Sequence, residues 1–319
     1  MDFLGIDVGK SELHAAILQD ERASTKNVPN SETGIRQLIT WLKNRKAENI
    51  HACLESTGGW SEAVALALHR EGYLVSIVNP CRIKAFAQSE MLRTKTDAVD
   101  AALIARFCRL HKPEPWEPPT PEVLALQALV RRYQSLTAMC TEEQNRLGAP
   151  MLTEEVRVSV EKHIEHLRNE LEEIDRKIDK LFEDHPPLRK QRDLLTSIPG
   201  IGETTAARIL GEMPHIAEFR DVKAVVAYAG LSPRHYQSGS IQRSSRLAKI
   251  GNGQLRCSLY FPAIAALRYN PIVKSLGARL QERGKAKMSI IAAAMRKLLV
   301  LAYGVLKSGQ PFDPAYVTP

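Results

Sequence analysis

Phe3-Leu4-Gly5-Ile6-Asp7-Val8 is a short apolar run with one acid near its end. A run of this length, without helical periodicity and bounded by glycine, reads as a buried strand. After Gly9-Lys10-Ser11 the run Glu12-Leu13-His14-Ala15-Ala16-Ile17-Leu18 completes a hairpin, and a third strand is expected near Lys26-Asn27-Val28. Ser31 then caps an amphipathic helix with Ile35, Leu38, Ile39 and Leu42 at helical spacing. Ile50-His51-Ala52-Cys53-Leu54-Glu55 is the next strand, and it too ends in an acid. Ser56-Thr57-Gly58-Gly59-Trp60 turns into a helix from Ala63 to His69, and a fifth strand, Tyr73 to Val78, is ended by Asn79-Pro80.

Three antiparallel strands followed by alternating helices and parallel strands is the order of the α/β ribonuclease H-like fold. In that topology the ends of the first and fourth strands lie side by side, and a later helix packs across them. Arg93-Thr94-Lys95-Thr96-Asp97-Ala98-Val99-Asp100 opens such a helix, which continues to Cys108. Thr96 is a good N-cap, and Asp97 and Asp100, three residues apart, share one face of the first turn, where the helix dipole favours negative charge. By themselves they read as capping acids. Taken with Asp7 and Glu55, they form a set of four carboxylates expected to converge. Such a set is strongly repulsive without cations, and its oxygen-only donors favour Mg2+ or Mn2+. Two divalent ions would make it a phosphodiester-processing centre.

The balance of the 319-residue chain is that of a globular protein: 44% hydrophobic and 25% charged. No apolar run was expected to reach the length of a membrane span, and no basic segment precedes the first strand. The expectation is a cytoplasmic protein without a signal peptide. Five widely spaced cysteines (Cys53, Cys81, Cys108, Cys140, Cys257) suit free thiols better than disulfides or zinc. The net charge of +8 is unevenly spread: between Leu231 and Val300, thirteen Lys/Arg face one acid, Glu282. The rest of the chain is therefore net negative, and the basic rear points to a polyanion, most often nucleic acid.

Gly5-Ile6-Asp7-Val8-Gly9-Lys10, Leu54-Glu55-Ser56-Thr57-Gly58, Asn79-Pro80, Lys84-Ala85-Phe86-Ala87 and Lys95-Thr96-Asp97-Ala98-Val99-Asp100 resemble the DEDD transposases of the insertion-sequence one-ten family, the bridge-RNA-guided recombinases with a RuvC-like front domain. The resemblance implies that Asp7, Glu55, Asp97 and Asp100 are the metal-binding set.

His111-Lys112-Pro113-Glu114-Pro115-Trp116-Glu117-Pro118-Pro119 is too proline-rich for helix and marks a boundary. Three parts are expected: a RuvC-like domain over 1–112, a linker with a helical or coiled-coil spacer over 113–190, and a mostly α-helical domain over 191–319. In the spacer, Val160, Ile164, Leu167, Leu171, Ile174, Ile178 and Leu181 make a heptad seam. Either an intramolecular hairpin or a dimeric coil would bury it, and self-association through it was the expectation. Ile198-Pro199-Gly200-Ile201-Gly202-Glu203 matches a helix-hairpin-helix turn, in which Gly200 and Gly202 let backbone N–H groups meet phosphate.

Arg234-His235-Tyr236-Gln237-Ser238-Gly239-Ser240 and Arg243-Ser244-Ser245-Arg246 set serines and a tyrosine among arginines. Composition leaves several nucleophiles open, Tyr236 included. The family resemblance implies Ser238, with Ser240, Ser244 and Ser245 as fallbacks. Arg234, Arg243, Arg246, Lys249 and Arg256 are candidate nucleic-acid contacts.

The expected function is a metal-assisted transposase that cuts and rejoins donor and target DNA through a phosphoserine link. The resemblance adds a structured non-coding guide RNA, and a homo-oligomer, a dimer or a tetramer on DNA, is expected. Gly5 to Lys10 and Thr57-Gly58-Gly59 also suit the phosphate loops of an actin-like ATPase or sugar kinase, although the basic rear argues against that reading. A non-catalytic helix-hairpin-helix DNA-binding protein is the third.

Overall fold

A computed structural model of the chain describes every residue except 20, 21, 48, 92–95, 235, 236, 239, 240, 243–245 and 316–319, and the side chains of 237, 238, 241 and 242. The chain divides into two compact units, Met1–Pro118 and Pro119–Pro319.

In the first unit β1 (Asp2–Val8), β2 (Glu12–Gln19), β3 (Arg22–Pro29), β4 (Ile50–Glu55) and β5 (Leu74–Val78) form one sheet in the order β3-β2-β1-β4-β5. The first three pair antiparallel, whereas β1–β4 and β4–β5 are parallel. This is the ribonuclease H-like arrangement. The connections α1 (Glu32–Asn44) and α2 (Gly59–Arg70) cover one face of the sheet, where Leu4, Ile6, Ala52 and Leu54 meet Leu38, Leu42, Val64 and Leu68. Ser31 caps α1 by accepting from the Gly34 N–H.

Asn79-Pro80 ends β5 but also starts α3 (Pro80–Ser89), with Asn79 accepting from the Cys81 N–H and Pro80 in the first turn, where it needs no hydrogen-bond partner. The helix α4 (Asp97–His111) lies on the other face of the sheet. The proline-rich stretch is tied to this unit: the Trp116 N–H donates to Val75 O at 2.7 Å, and the Ser76 hydroxyl donates to the carbonyls of Pro113 and Glu114.

The second unit begins with a helical hairpin, α5 (Pro121–Leu147) and α6 (Glu154–Asp184). Val160, Ile164 and Leu167 of the heptad seam are buried against Leu136 and Cys140 of α5. Lower down, Ile178 and Phe182 join Leu126 and Val130 in the main core. The seam expected to join two chains is therefore covered within one. A 27-residue helix reaches about 40 Å at 1.5 Å per residue, long enough to run beside most of α6.

The main core is built by α7 (Pro186–Thr196), α8 (Glu203–Glu212), α9 (Val222–Tyr228), α10 (Gly253–Ser258), α11 (Tyr260–Tyr269), α12 (Pro271–Glu282) and α13 (Lys287–Ser308). The 22-residue α13 is long and apolar enough to cross a membrane by length and composition, contrary to expectation. It buries Ile291, Ala294, Met295, Leu298, Leu299, Ala302 and Tyr303, so its apolar stripe serves the core of this unit. Between α9 and α10 lies a ribbon of short strands: β6 (Pro233–Arg234) pairs with β9 (Arg246–Leu247), and β7 (Gln237–Ser238) with β8 (Ile241–Gln242), both antiparallel.

Truncating Leu167, only 3% exposed, to alanine should cost about 2–5 kcal/mol in urea unfolding. The mass measured by light scattering should not change, because the seam is intramolecular.

Candidate active sites

Two sets of residues call for chemistry, one in each unit. In the first, side chains alternate along β1 and β4. Residues 4, 6 and 8 and residues 52 and 54 enter the core under α1 and α2, which leaves Gly5, Asp7, Cys53 and Glu55 on the α4 face. Cys53 packs there against Leu103, Ile104, Phe107 and Cys108 of α4. The last paired residues of β1 and β4 are Ile6 and Leu54, so Asp7 and Glu55 follow side by side at the same strand ends.

Gly5 explains how α4 reaches this edge. A Cβ there would lie 2.2 Å from both Ala101 O and Ala105 N, so only glycine lets the helix lie directly on the strand. Ala101 follows Asp100, and the first turn of α4 is thus brought to the sheet beside Asp7. Thr96 holds the helix start by accepting from the Val99 N–H at 3.3 Å.

Asp7 and Glu55 end adjacent parallel strands, and Asp97 and Asp100 lie in the first turn of α4. Among the described residues, no three His, Cys, Asp or Glu side chains stand close enough to hold a metal ion. The Nε2 of His14 lies 3.3 Å from Asp97 Oδ2 and 3.4 Å from Glu12 Oε2. His14 is the register partner of Asp7 on β2. It escaped the sequence reading because a lone histidine on a strand carries no motif; the hairpin register was the available signal. Two residues beyond Glu55, Thr57 Oγ1 is buried without a hydrogen-bond partner. Hard oxygen donors and an unsatisfied hydroxyl on one edge suit a hydrated divalent ion in their chemistry. Lys10, the lysine of the phosphate-loop reading, lies over the Trp60 ring at 5.7 Å.

Behind the edge, the buried Cys53 thiol is held well above its usual range, first by its hydrogen bond with Cys108 and then by burial. It stays neutral and serves as packing.

In the second unit the predicted turn at Gly200 is present. Gly200 adopts φ 104°, and a Cβ there would meet Ala266 Cβ at 2.8 Å, so the turn is pressed against α11. Gly202 is the N-cap of α8 and has no side-chain cap, which leaves N–H groups open to an anion, although Glu203 in the first turn opposes one. Ser238 lies on β7. Arg234, Arg246 and Lys249 are exposed at or near the base of the ribbon, and Lys249 adopts φ 56°. Arg256 is half-buried and donates to Ala229 O at 3.1 Å, which ties it to the fold. Arg243, Tyr236, Ser240, Ser244 and Ser245 lie outside the described residues.

A DEDD transposase family model of the IS110 group matches residues 4–155, and the "Transposase IS116/IS110/IS902 family" model matches residues 192–278. A "Pilin gene-inverting protein" of Moraxella bovis is 33% identical over 316 residues, covering 98% of this chain and 97% of its own. An uncharacterized protein of insertion element IS110 from Streptomyces coelicolor is 26% identical over 140 residues, covering 44% of this chain and 34% of its own. Among solved structures, T. thermophilus RuvC, in a complex with a Holliday junction substrate, matches 36% of this chain and 99% of its own at 18% identity and a TM-score of 0.29. Strand order, and not that superposition, carries the fold.

Gly5→Ala should destabilise the protein by about 3 kcal/mol, the upper end of overpacking costs. The expected loss is measured by chemical unfolding. A smaller, apolar-neutral change would mean that α4 does not rest on β1 as described.

Proposed function

The chain belongs to the IS116/IS110/IS902 family of transposases, and from that premise we propose a recombinase that cuts donor and target DNA and rejoins the strands through a phosphoserine link at Ser238. The observation that carries the front half of this reading is the placement of Asp7 and Glu55 at adjacent parallel strand ends, with the first turn of α4 on the same edge. Asp7, Glu55, Asp97 and Asp100 would hold Mg2+ or Mn2+. Such an ion, when bound, neutralises phosphate charge and activates an attacking oxygen. The chain's own contribution is the fixed edge: the sheet orients Asp7 and Glu55, Thr96 holds the start of α4, and His14 holds Asp97.

At the ribbon, the Ser238 hydroxyl attacks phosphorus, the new Oγ–P bond replacing the P–O3′ bond. The leaving 3′ oxygen takes up a proton, and a 5′-phosphate stays on the serine. Attack by the 3′ hydroxyl of the other strand reverses the exchange and frees the serine. One phosphoester is traded for another, so no ATP is consumed. Arg234 and Arg246, register partners across β6 and β9, offer guanidinium groups near the serine-bearing strands.

Sequence choice is assigned to a structured guide RNA. Exposed Arg and Lys of the basic rear suit phosphate contacts, which position nucleic acid without reading its sequence. Rejoining two duplexes calls for several serines, hence a dimer or a tetramer on DNA. A second reading, site-specific inversion, is favoured by the near full-length similarity to the pilin gene-inverting protein. It uses the same cutting and rejoining with sites in opposite orientation.

Asp7→Ala, Glu55→Ala, Asp97→Ala and Asp100→Ala should each abolish strand cleavage in Mg2+ or Mn2+ while leaving nucleic-acid binding nearly unchanged. Full cleavage in EDTA would overturn the metal assignment.

Mass spectrometry of trapped reactions should find the nucleotide on Ser238 and lose it in Ser238→Ala, with Tyr236→Phe unaffected. An adduct on Tyr236 or Ser245 would reassign the nucleophile.

Recombination of matched sites should require the element's own non-coding RNA, and RNA binding should weaken steeply with salt as counterions compete. Efficient site-specific recombination by RNase-treated protein would remove the guide. Plasmids with direct and inverted sites, compared side by side, separate integration from inversion.

A further inference from the structure

Glu212, the last residue of α8, is 1% exposed in the basic half of the chain. A buried carboxylate is costly unless it is fully paired. Here both oxygens are engaged. Arg131 of α5 donates through Nε to Oε1 at 2.9 Å and through Nη2 to Oε2 at 3.4 Å, while the Asn252 amide donates to Oε2 at 2.9 Å. The backbone carbonyl of Glu212 accepts from the Tyr228 hydroxyl at 3.0 Å.

Tyr228 and Asn252 are the residues on either side of the ribbon. Tyr228 ends α9, and Asn252 caps α10 by accepting from the Leu255 N–H. They also meet directly, the Asn252 N–H donating to Tyr228 O at 2.6 Å. Gly251 permits this closure: at φ 143° a Cβ would lie 2.3 Å from Tyr228 O. Two more bonds tighten the neck, Ala248 N–H to Ser232 O at 2.9 Å and Arg256 to Ala229 O at 3.1 Å. Among the described residues, the ribbon's pairings, β6 with β9 and β7 with β8, are two residues each, too short by themselves to fix its direction.

A buried ion pair is often no more stabilising than apolar residues of the same size, and its use lies in fixing one geometry. We propose that Glu212 is a positioning residue that clamps both ends of the serine-bearing ribbon to α5 and α8, and so sets where Ser238 is presented. Arg131, Tyr228 and Asn252 are its partners. The inference rests on the reading that Ser238 is the nucleophile, but the clamp is measurable without it.

Asn252→Ser keeps a capping oxygen for α10 and removes the amide that donates to Glu212. Glu212→Gln keeps the shape and removes the charge. Hydrogen exchange of the full-length variants, read by mass spectrometry, should accelerate by roughly tenfold in peptides spanning 233–247 and not in α13, as expected of a local opening. Strand cleavage should fall by about ten- to a hundredfold, the usual penalty for a displaced reacting group, with DNA affinity unchanged.

Unchanged exchange in the ribbon of Asn252→Ser would overturn the clamp. So would equal acceleration in α13, which would make Glu212 a general core residue. If Ser238→Ala still cleaves, the serine reading fails, while the exchange data continue to decide the clamp by themselves.

Discussion

The contact on which the front half of the molecule depends is helix α4 laid directly on β1 at Gly5. Any side chain at that position would meet the helix backbone at 2.2 Å. Close approach brings Phe107 and Ile104 into a dry layer with Cys53 and Phe86. It also carries the acidic first turn of α4 to the ends of β1 and β4. Packing and chemistry are thus set by one missing methyl group. The apolar layer fixes the helix, and the helix fixes two of the four carboxylates.

The second unit solves a different problem, which is how to hold a short ribbon on a helical body. Its core is continuous from α5 to α13, and Tyr303 is locked by donating to Phe219 O at 2.9 Å. Upon this body the ribbon is attached at a neck of backbone hydrogen bonds and one buried carboxylate. Arg234, Arg246 and Lys249 are exposed at or near the ribbon's base, whereas Glu212 is buried at its neck. The exposed cations are free to meet a polyanion, while the Glu212 carboxylate is paired where it is buried.

The two units also treat like charges differently. At the front edge, Asp97 lies 3.3 Å from His14. In the rear, Glu212, the buried acid among the described residues, is paired with Arg131 and Asn252.

Local pattern determined much of this. Run length and the spacing of apolar residues disclosed the five strands, because a pleat repeats every two residues and a helix every 3.6. Ser31 and Thr96 marked helix starts because a cap acts on the next turn only. Asp7 and Glu55 could be placed together from strand order, as could Asp97 and Asp100 from their spacing.

What tertiary structure decided were the partners. A heptad stripe shows how wide an apolar face is but not what covers it, and α5 proved to be the cover. The apolar length of α13 does not say what its stripe packs against; the structure sets Ile291, Leu298 and Leu299 in the helical core. His14 with Asp97, and Arg131 with Glu212, join residues far apart in sequence. No local signal predicts such pairs, because their energy exists only once the chain has closed the distance between them.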